Sequence, residues 1–370
     1  MRIFYRIFIG LALLSVSQPV LAVSTTKIDA VRSKESLVEA DTAAVEQFAA
    51  EAFTEFFEKT DFSDIASLRT TIISRSTSEL ESGQIQYGPL FFTTVQKEIS
   101  NIIQKMNALP ESYRKTLFTT NLLILVNDLG NVELSKVALD YLQSSNVIIR
   151  YWAVNCLTNA NIVRQLNYES EENKRLAKEF VQKLTTAAKN ETSGDILSFI
   201  VQFAAGLKQP SANELLTLIA NKRIELYMSW KVNDEMTDIA ILKALADRAE
   251  TDRENRRATA KNFATLYSAV IQRYMLDDGF LDETSKRNLV SVITQSEKLV
   301  TQFVSDWPGT LKRAIEKGGG AGLLAEYDSL FGSASIAGKM PTIVGFDYGK
   351  NADGSVRTFP PAPQKPPQSK

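Results

Sequence analysis

Apolar residues recur along this chain at intervals of three and four, not two, from about residue 42 to residue 304. Between 42 and 59, Ala44, Val45, Phe48, Ala49, Ala52, Phe53, Phe56 and Phe57 share one face, with Glu46, Glu51, Glu55 and Glu58 on the other. That 3.6-residue period predicts an amphipathic helix. A polar, Ser/Thr-rich helix is expected over 61–80, with Ser82-Gly83 and Tyr87-Gly88-Pro89 breaking the chain after it. The next stripe, Val95, Ile99, Ile102, Ile103 and Met106, places a helix over 90–109. Further helices are predicted over 113–129, with Gly130 as its C-cap, and then over 132–142, 146–166, 170–189, 195–207, 211–231, 234–249, 253–276 and 283–304. In 253–276 the apolar stripe is Phe263, Leu266, Tyr267, Val270, Ile271 and Tyr274. Short connections imply antiparallel neighbours packed in chain order. The expected fold is all-α, an irregular α-solenoid of antiparallel helix pairs or a multi-helix bundle.

Both ends depart from this pattern. Arg2 and Arg6, an apolar run from Ile7 to Val16, and Pro19-Val20-Leu21-Ala22 have the order of a cleaved export signal. Ten apolar residues are too few to cross a bilayer core of about 30 Å as a helix. After Trp307-Pro308-Gly309, a last amphipathic turn over 311–317 is stopped by Gly318-Gly319-Gly320, and a short helix is expected over 323–331. Residues 342–346 and 355–359 alternate around Asn351-Ala352-Asp353-Gly354 and predict either a small β-hairpin or simply an extended tail. The last 11 residues, 360–370, contain five prolines and are expected to be disordered and polyproline-like. Four regions result: a signal peptide, 1–22; a helical region, 23–110; a second helical domain, 111–317; and a Gly/Pro-rich, largely non-helical tail, 318–370.

One segment carries a family pattern. In Ser145-Asn146-Val147-Ile148-Ile149-Arg150-Tyr151-Trp152-Ala153-Val154-Asn155-Cys156-Leu157, an aliphatic residue precedes an arginine, small residues follow it at three and six, and a leucine at seven. The residues are Ile149, Arg150, Ala153, Cys156 and Leu157. The segment resembles the second helix of a HEAT-type repeat, with 134–143 as the first helix and the unit spanning about 133–165. The resemblance implies that the small residues admit a partner helix, Leu157 fills the core, and Arg150 ties the turn to its neighbour. Segments 209–227 and 234–249 match in length but lack the arginine signature.

Composition narrows the chemistry. Of 370 residues none is histidine, which excludes Ser-His-Asp and Cys-His machinery and His-containing zinc sites. Cys156 is the only cysteine, so no internal disulfide forms, and its apolar surroundings predict a buried, unreactive thiol. Without residues 1–22 the chain has 40 basic and 43 acidic residues, net −3, and lacks the basic footprint of nucleic-acid or anionic-lipid binding. Gly318-Gly319-Gly320 follows a helix rather than a strand and reads as a helix break, not a phosphate cradle. In Gly332 to Gly338-Lys339-Met340 the glycine spacing is one too long for a P-loop, and methionine replaces the magnesium-binding hydroxyl. Asp277, Asp278, Asp282 and Glu283 miss the calcium-loop spacing and are expected to cap the next helix. Neither a cofactor nor a metal ion is expected.

The leading functional expectation is a non-catalytic scaffold, periplasmic or extracellular, with a helical-repeat surface that binds a protein or peptide. After signal cleavage it has no membrane span. A second expectation is an envelope glycan- or lipid-binding protein with an aromatic pocket drawn from Tyr151, Trp152, Trp230 and Trp307. A third is an enzyme acting on glycans with carboxylates alone.

Overall fold

The helical periodicity is realised throughout the computed structural model, which describes residues 23–277 and 279–364. It is 70% helical, with 17 α-helices and no β-strand among the described residues. None of these helices is long and apolar enough to cross a membrane. The predicted leader and residues 365–370 of the predicted tail lie outside the described residues. Contacts divide the chain into two compact units, Met1–Phe118 and Thr119–Lys370.

The first unit comprises α1 (Thr26–Arg32), α2 (Glu39–Glu58), α3 (Phe62–Ile73), α4 (Gln84–Asn107) and the first turns of α5 (Tyr113–Leu129). Helix α2 is central because its Val45, Phe48, Ala49, Ala52, Phe53 and Phe56 are buried against its neighbours α1, α3 and α4. Phe118 closes the aromatic cluster edge-on to Phe56 and Phe57, with ring centroids 5.0 and 5.2 Å away. Asp61 caps α3 by accepting the Ser63 N–H at 2.8 Å, and that helix ends at Ile73, short of the predicted residue 80. The predicted break at Tyr87-Gly88-Pro89 is absent, since Pro89 lies inside α4. A proline one turn into a helix removes one N–H, whose acceptor would be the carbonyl of Ile85. Ile85 is 80% exposed, so water can take that role.

In the second unit, Gly130 ends α5 at φ 57°, and α6 (Val132–Ser135) and a 3-10 helix (Lys136–Tyr141) replace the single helix predicted over 132–142. There follow α7 (Val147–Thr158), α8 (Ala160–Leu166), α9 (Glu171–Asn190), α10 (Gly194–Gly206), α11 (Ser211–Met228), α12 (Thr237–Thr251), α13 (Arg256–Met275) and α14 (Glu283–Ser296). Residues 297–302 form a second 3-10 helix, before α15 (Leu311–Glu316), α16 (Gly320–Phe331) and α17 (Lys339–Val344). Asn159 splits the helix predicted over 146–166. Its side chain accepts the Asn161 N–H at 2.8 Å and donates to the Asn127 carbonyl at 3.1 Å, so it competes with the helical ladder.

The pairs stack in two layers. Helices α9, α11 and α13 pack side by side in one, and α7, α10 and α12 in the other. Helix α13 also meets α12, α14, α16 and α17, and 12 of its residues are buried. This is the all-α fold expected, consistent with a helical solenoid or a multi-helix bundle.

The C-terminal region corrects two expectations. Residues 342–344 belong to α17, and the hairpin shrinks to one antiparallel bridge, Lys350 to Val356. Thr342 satisfies its hydroxyl on the Gly338 carbonyl at 2.6 Å, a local bond that favours the helical turn. Residues 360–364 have no regular secondary structure but are held: Gln272 Nε2 donates to the Pro361 carbonyl at 3.1 Å, and the Gln364 N–H donates to the Met228 carbonyl at 3.1 Å. Burial of Pro360 and Pro363 anchors this strap. Gly338 stands where a Cβ would lie 2.3 Å from the Phe331 carbonyl carbon, so the glycine pair that imitates a P-loop serves close backbone packing.

Candidate functional groove

Residues 147–157 of the segment with the arginine signature lie in α7 (Val147–Thr158), whereas its expected first helix, 134–143, is divided between α6 and a 3-10 helix. Ile149, Ala153, Cys156 and Leu157 are buried, and Leu157 and Ala153 are fully so. The Cys156 Sγ is 2.9 Å from the Leu123 carbonyl, and burial pushes the thiol well above its ordinary range, so it stays protonated and inert. Arg150 donates from Nε and Nη2 to the two Glu191 oxygens, at 2.9 and 3.2 Å, and from Nη1 to the Ser144 carbonyl at 2.9 Å. It thus joins the turn before α7 to the turn after α9.

Burial alone would raise the Glu191 carboxyl, but Arg150 and the N–H groups of Ser193 and Thr192 outweigh it and hold it below the ordinary carboxylate value. A carboxyl depressed on folding contributes stability that is present above its unfolded value, about 4.3, and lost as pH falls through the lower folded value. Glu191→Gln is expected to cost about 1–2 kcal/mol at pH 7. It should also flatten the acid limb of the urea midpoint below about pH 4.5. Urea titrations of both proteins from pH 7 to 3 test this, and parallel curves would refute it.

The arginine signature that 209–227 and 234–249 lack is replaced by cations in other registers. Lys222, in the second half of α11, donates to the carbonyls of Ala188 and Glu191 at 3.0 and 2.7 Å. Arg248 of α12 donates to those of Ala204 and Leu207 at 2.6 and 2.9 Å. Arg223 forms a bidentate pair with Asp238, at 2.7 and 2.9 Å, and the Tyr227 hydroxyl donates to the same carboxylate at 2.6 Å. All three of these side chains are buried. Their connection, 229–236, contains Trp230 and Asp234 at φ 56° and 50°, where residues other than glycine are rarely found.

The four aromatic candidates do not come together. Tyr151 packs edge-on against Trp152 and Phe199, at 5.4 and 5.3 Å. Trp230 lies 5.8 Å from Phe280 and 5.0 Å from the Arg273 guanidinium. Trp307 is 6% exposed beneath Lys339. None of the four lines the groove described next. The predicted aromatic pocket is therefore corrected to three separate packing sites.

A groove that the sequence did not announce runs along α11. Asn213, Thr217, Asn221 and Glu225 fall at successive four-residue intervals on that helix, with Leu218 and Lys222 beside them. Lys189 of α9 forms one wall, and Asn255, Ala258 and Thr259 at the start of α13 form the other. The cavity measures about 640 Å³, within the range of small-ligand sites. Asn213 Nδ2 donates to Asp252 at 2.6 Å, while its Oδ1 is buried with no hydrogen-bond partner among the described residues. Lys222 is spent on backbone carbonyls, and burial lowers its proton affinity. The floor therefore offers amides and hydroxyls, with single charges at its edges. Side-chain amides both donate and accept, as a peptide backbone does.

Elsewhere, Asp282 caps α14 by accepting the Ser285 N–H at 2.7 Å, and Asp277 pairs with Lys286 at 2.9 Å. Among the described residues no three His, Cys, Asp or Glu side chains are placed to hold a metal ion. No protein-family model matches the chain, and a search of curated proteins finds no similar sequence.

Proposed function

We propose that this chain is an exported, non-catalytic binding protein whose α9–α11–α13 groove takes an extended stretch of another polypeptide. The observation that carries this reading is the polar stripe 213, 217, 221 and 225, set between two flanking helices. The twelve steps from residue 213 to residue 225 of the helix advance roughly 18 Å. An extended peptide rises about 3.3 Å per residue, so the groove matches about five residues. The exposed amide of Asn221 provides backbone recognition independent of sequence, and Leu218 provides an apolar contact. Export is supported by the order of charged, apolar and small residues in 1–22.

Panning a displayed peptide library against residues 23–370 tests the groove. The enriched peptides are expected to lose roughly tenfold or more in affinity for a Leu218→Ala, Asn221→Ala double variant. Asn221 is exposed, so the far-ultraviolet spectrum should not change. Peptides that bind both proteins equally, or no enrichment at all, would remove the groove from consideration. Saturable binding of a glycan or lipid in their place would move the function to the small-ligand class.

A further inference from the structure

We infer that the Ala22–Val23 peptide bond is the processing site, and that the ammonium group released on Val23 is bound by Glu55, so that leader removal completes an ion-pair cluster in the first unit. The inference rests on the export reading.

The nitrogen of Val23 lies 3.1 Å from Glu55 Oε2. Glu55 belongs to α2, and its side chain is only 12% exposed. Three residues beyond Val23, α1 begins and docks on α2 through the buried Ile28 and Val31, which holds the start of the chain in place. Around this nitrogen the charges are unbalanced. Lys59 is 3.3 Å from Glu55 Oε1 and 3.7 Å from Asp64, so one lysine serves two carboxylates. Arg75, on the wall of the same 280 Å³ cavity, is already paired with Asp29 at 3.1 Å. Lys59 engages Oε1, while the group on Oε2 of Glu55 is the Val23 nitrogen.

In the uncleaved chain that nitrogen is an amide with one neutral donor. Hydrolysis breaks the Ala22 carbonyl carbon to Val23 nitrogen bond. The hydroxyl of water goes to the carbonyl carbon and its proton to nitrogen, and the new acid's proton completes the ammonium. Charge-assisted hydrogen bonds are about twice as strong as neutral ones. Val20 and Ala22 place small or aliphatic residues where a signal peptidase reads them. The bond selected by sequence is therefore the one whose product the fold receives.

Two measurements separate the export reading from the docking. Mass spectrometry of protein exported from a bacterial host should find Val23 as the first residue, and an intact leader or a different start would overturn the processing site. Melting curves then compare 23–370 with a chain that retains Leu21-Ala22, which moves the ammonium roughly 7 Å along the chain. Circular dichroism should show the Val23 form melting roughly 2–5 °C higher in its first-unit transition at pH 6.5. An ammonium held above its ordinary value of about 8 contributes fully below that pH. The difference should close as pH rises beyond about 10, and it should vanish when both chains carry Glu55→Gln. Equal melting in the two forms, or an unchanged difference in the Glu55→Gln pair, would overturn the docking. Labelling of the α-amine by a reactive ester at pH 7 gives an independent readout in the unsubstituted proteins. It should be several-fold slower in the Val23 form, and equal rates would also refute the docking.

Discussion

Asp238→Ala is expected to destabilise the second unit by about 3–5 kcal/mol, because it leaves the Arg223 guanidinium buried without its counter-charge. The Asp238 side chain is fully buried, and that of Arg223 is 2% exposed. Burial favours protonation of Asp238, against which stand the two Arg223 bonds and the Tyr227 hydroxyl. Losing the carboxylate also frees Tyr227 and loosens Arg223, which holds the Asn233 carbonyl at 3.0 Å in the connection containing left-handed Trp230 and Asp234. Replacing both partners, Arg223→Met with Asp238→Leu, should recover most of the loss, since two apolar side chains need no compensation. All three tryptophans, Trp152, Trp230 and Trp307, lie in the second unit, so urea unfolding followed by their fluorescence reports on it alone. A loss below about 1 kcal/mol would mean that water screens the pair.

Phe263→Ala should be of similar size, about 3–5 kcal/mol, through the cavity it leaves at the centre of α13. Phe263 is fully buried, with ring centroids 4.8 Å from Phe303 and 5.7 Å from Tyr267. Helix α13 is enclosed by α11, α12, α14, α16 and α17, so the surrounding packing has little freedom to collapse. By contrast, Tyr113→Ala, at a side chain 80% exposed, should stay within about 0.5 kcal/mol. The same fluorescence titration measures the Phe263 effect, and dichroism registers both. Comparable losses for the two substitutions would deny α13 its central place.

Several helices were legible because their apolar stripes are strong. The face of α2 from Val45 to Phe56 and the buried positions of α4 from Val95 to Met106 fall where periodicity puts them. Boundaries were less legible where one side chain overrides the period. Asn159 cuts a helix that hydropathy runs together, and Pro89 sits within one that its identity seemed to forbid. The polar core of the second unit was hidden for another reason. Ser268 and Gln272 lie away from the apolar stripe of α13, yet both are buried. The Ser268 hydroxyl is 2.8 Å from that of Tyr327, and Gln272 reaches Ser268 and the C-terminal strap, contacts made by segments 59 and 89 residues away in sequence.

What the sequence alone determined was the all-α class, the position of most helices, and the absence of histidine and of a second cysteine. These follow from local period and residue type, which act within a few turns. The groove needed the tertiary structure. Asn213, Thr217, Asn221 and Glu225 look like any solvated helix face until α9 and α13 stand on either side of it. The partner of Val23 was hidden in the same way, since Glu55 lies 32 residues along and reads as one more acid on the polar face of α2. Whether a polar side chain faces bulk water, a groove or a buried counter-charge depends on which distant segment folds against it, and a local period carries no such information.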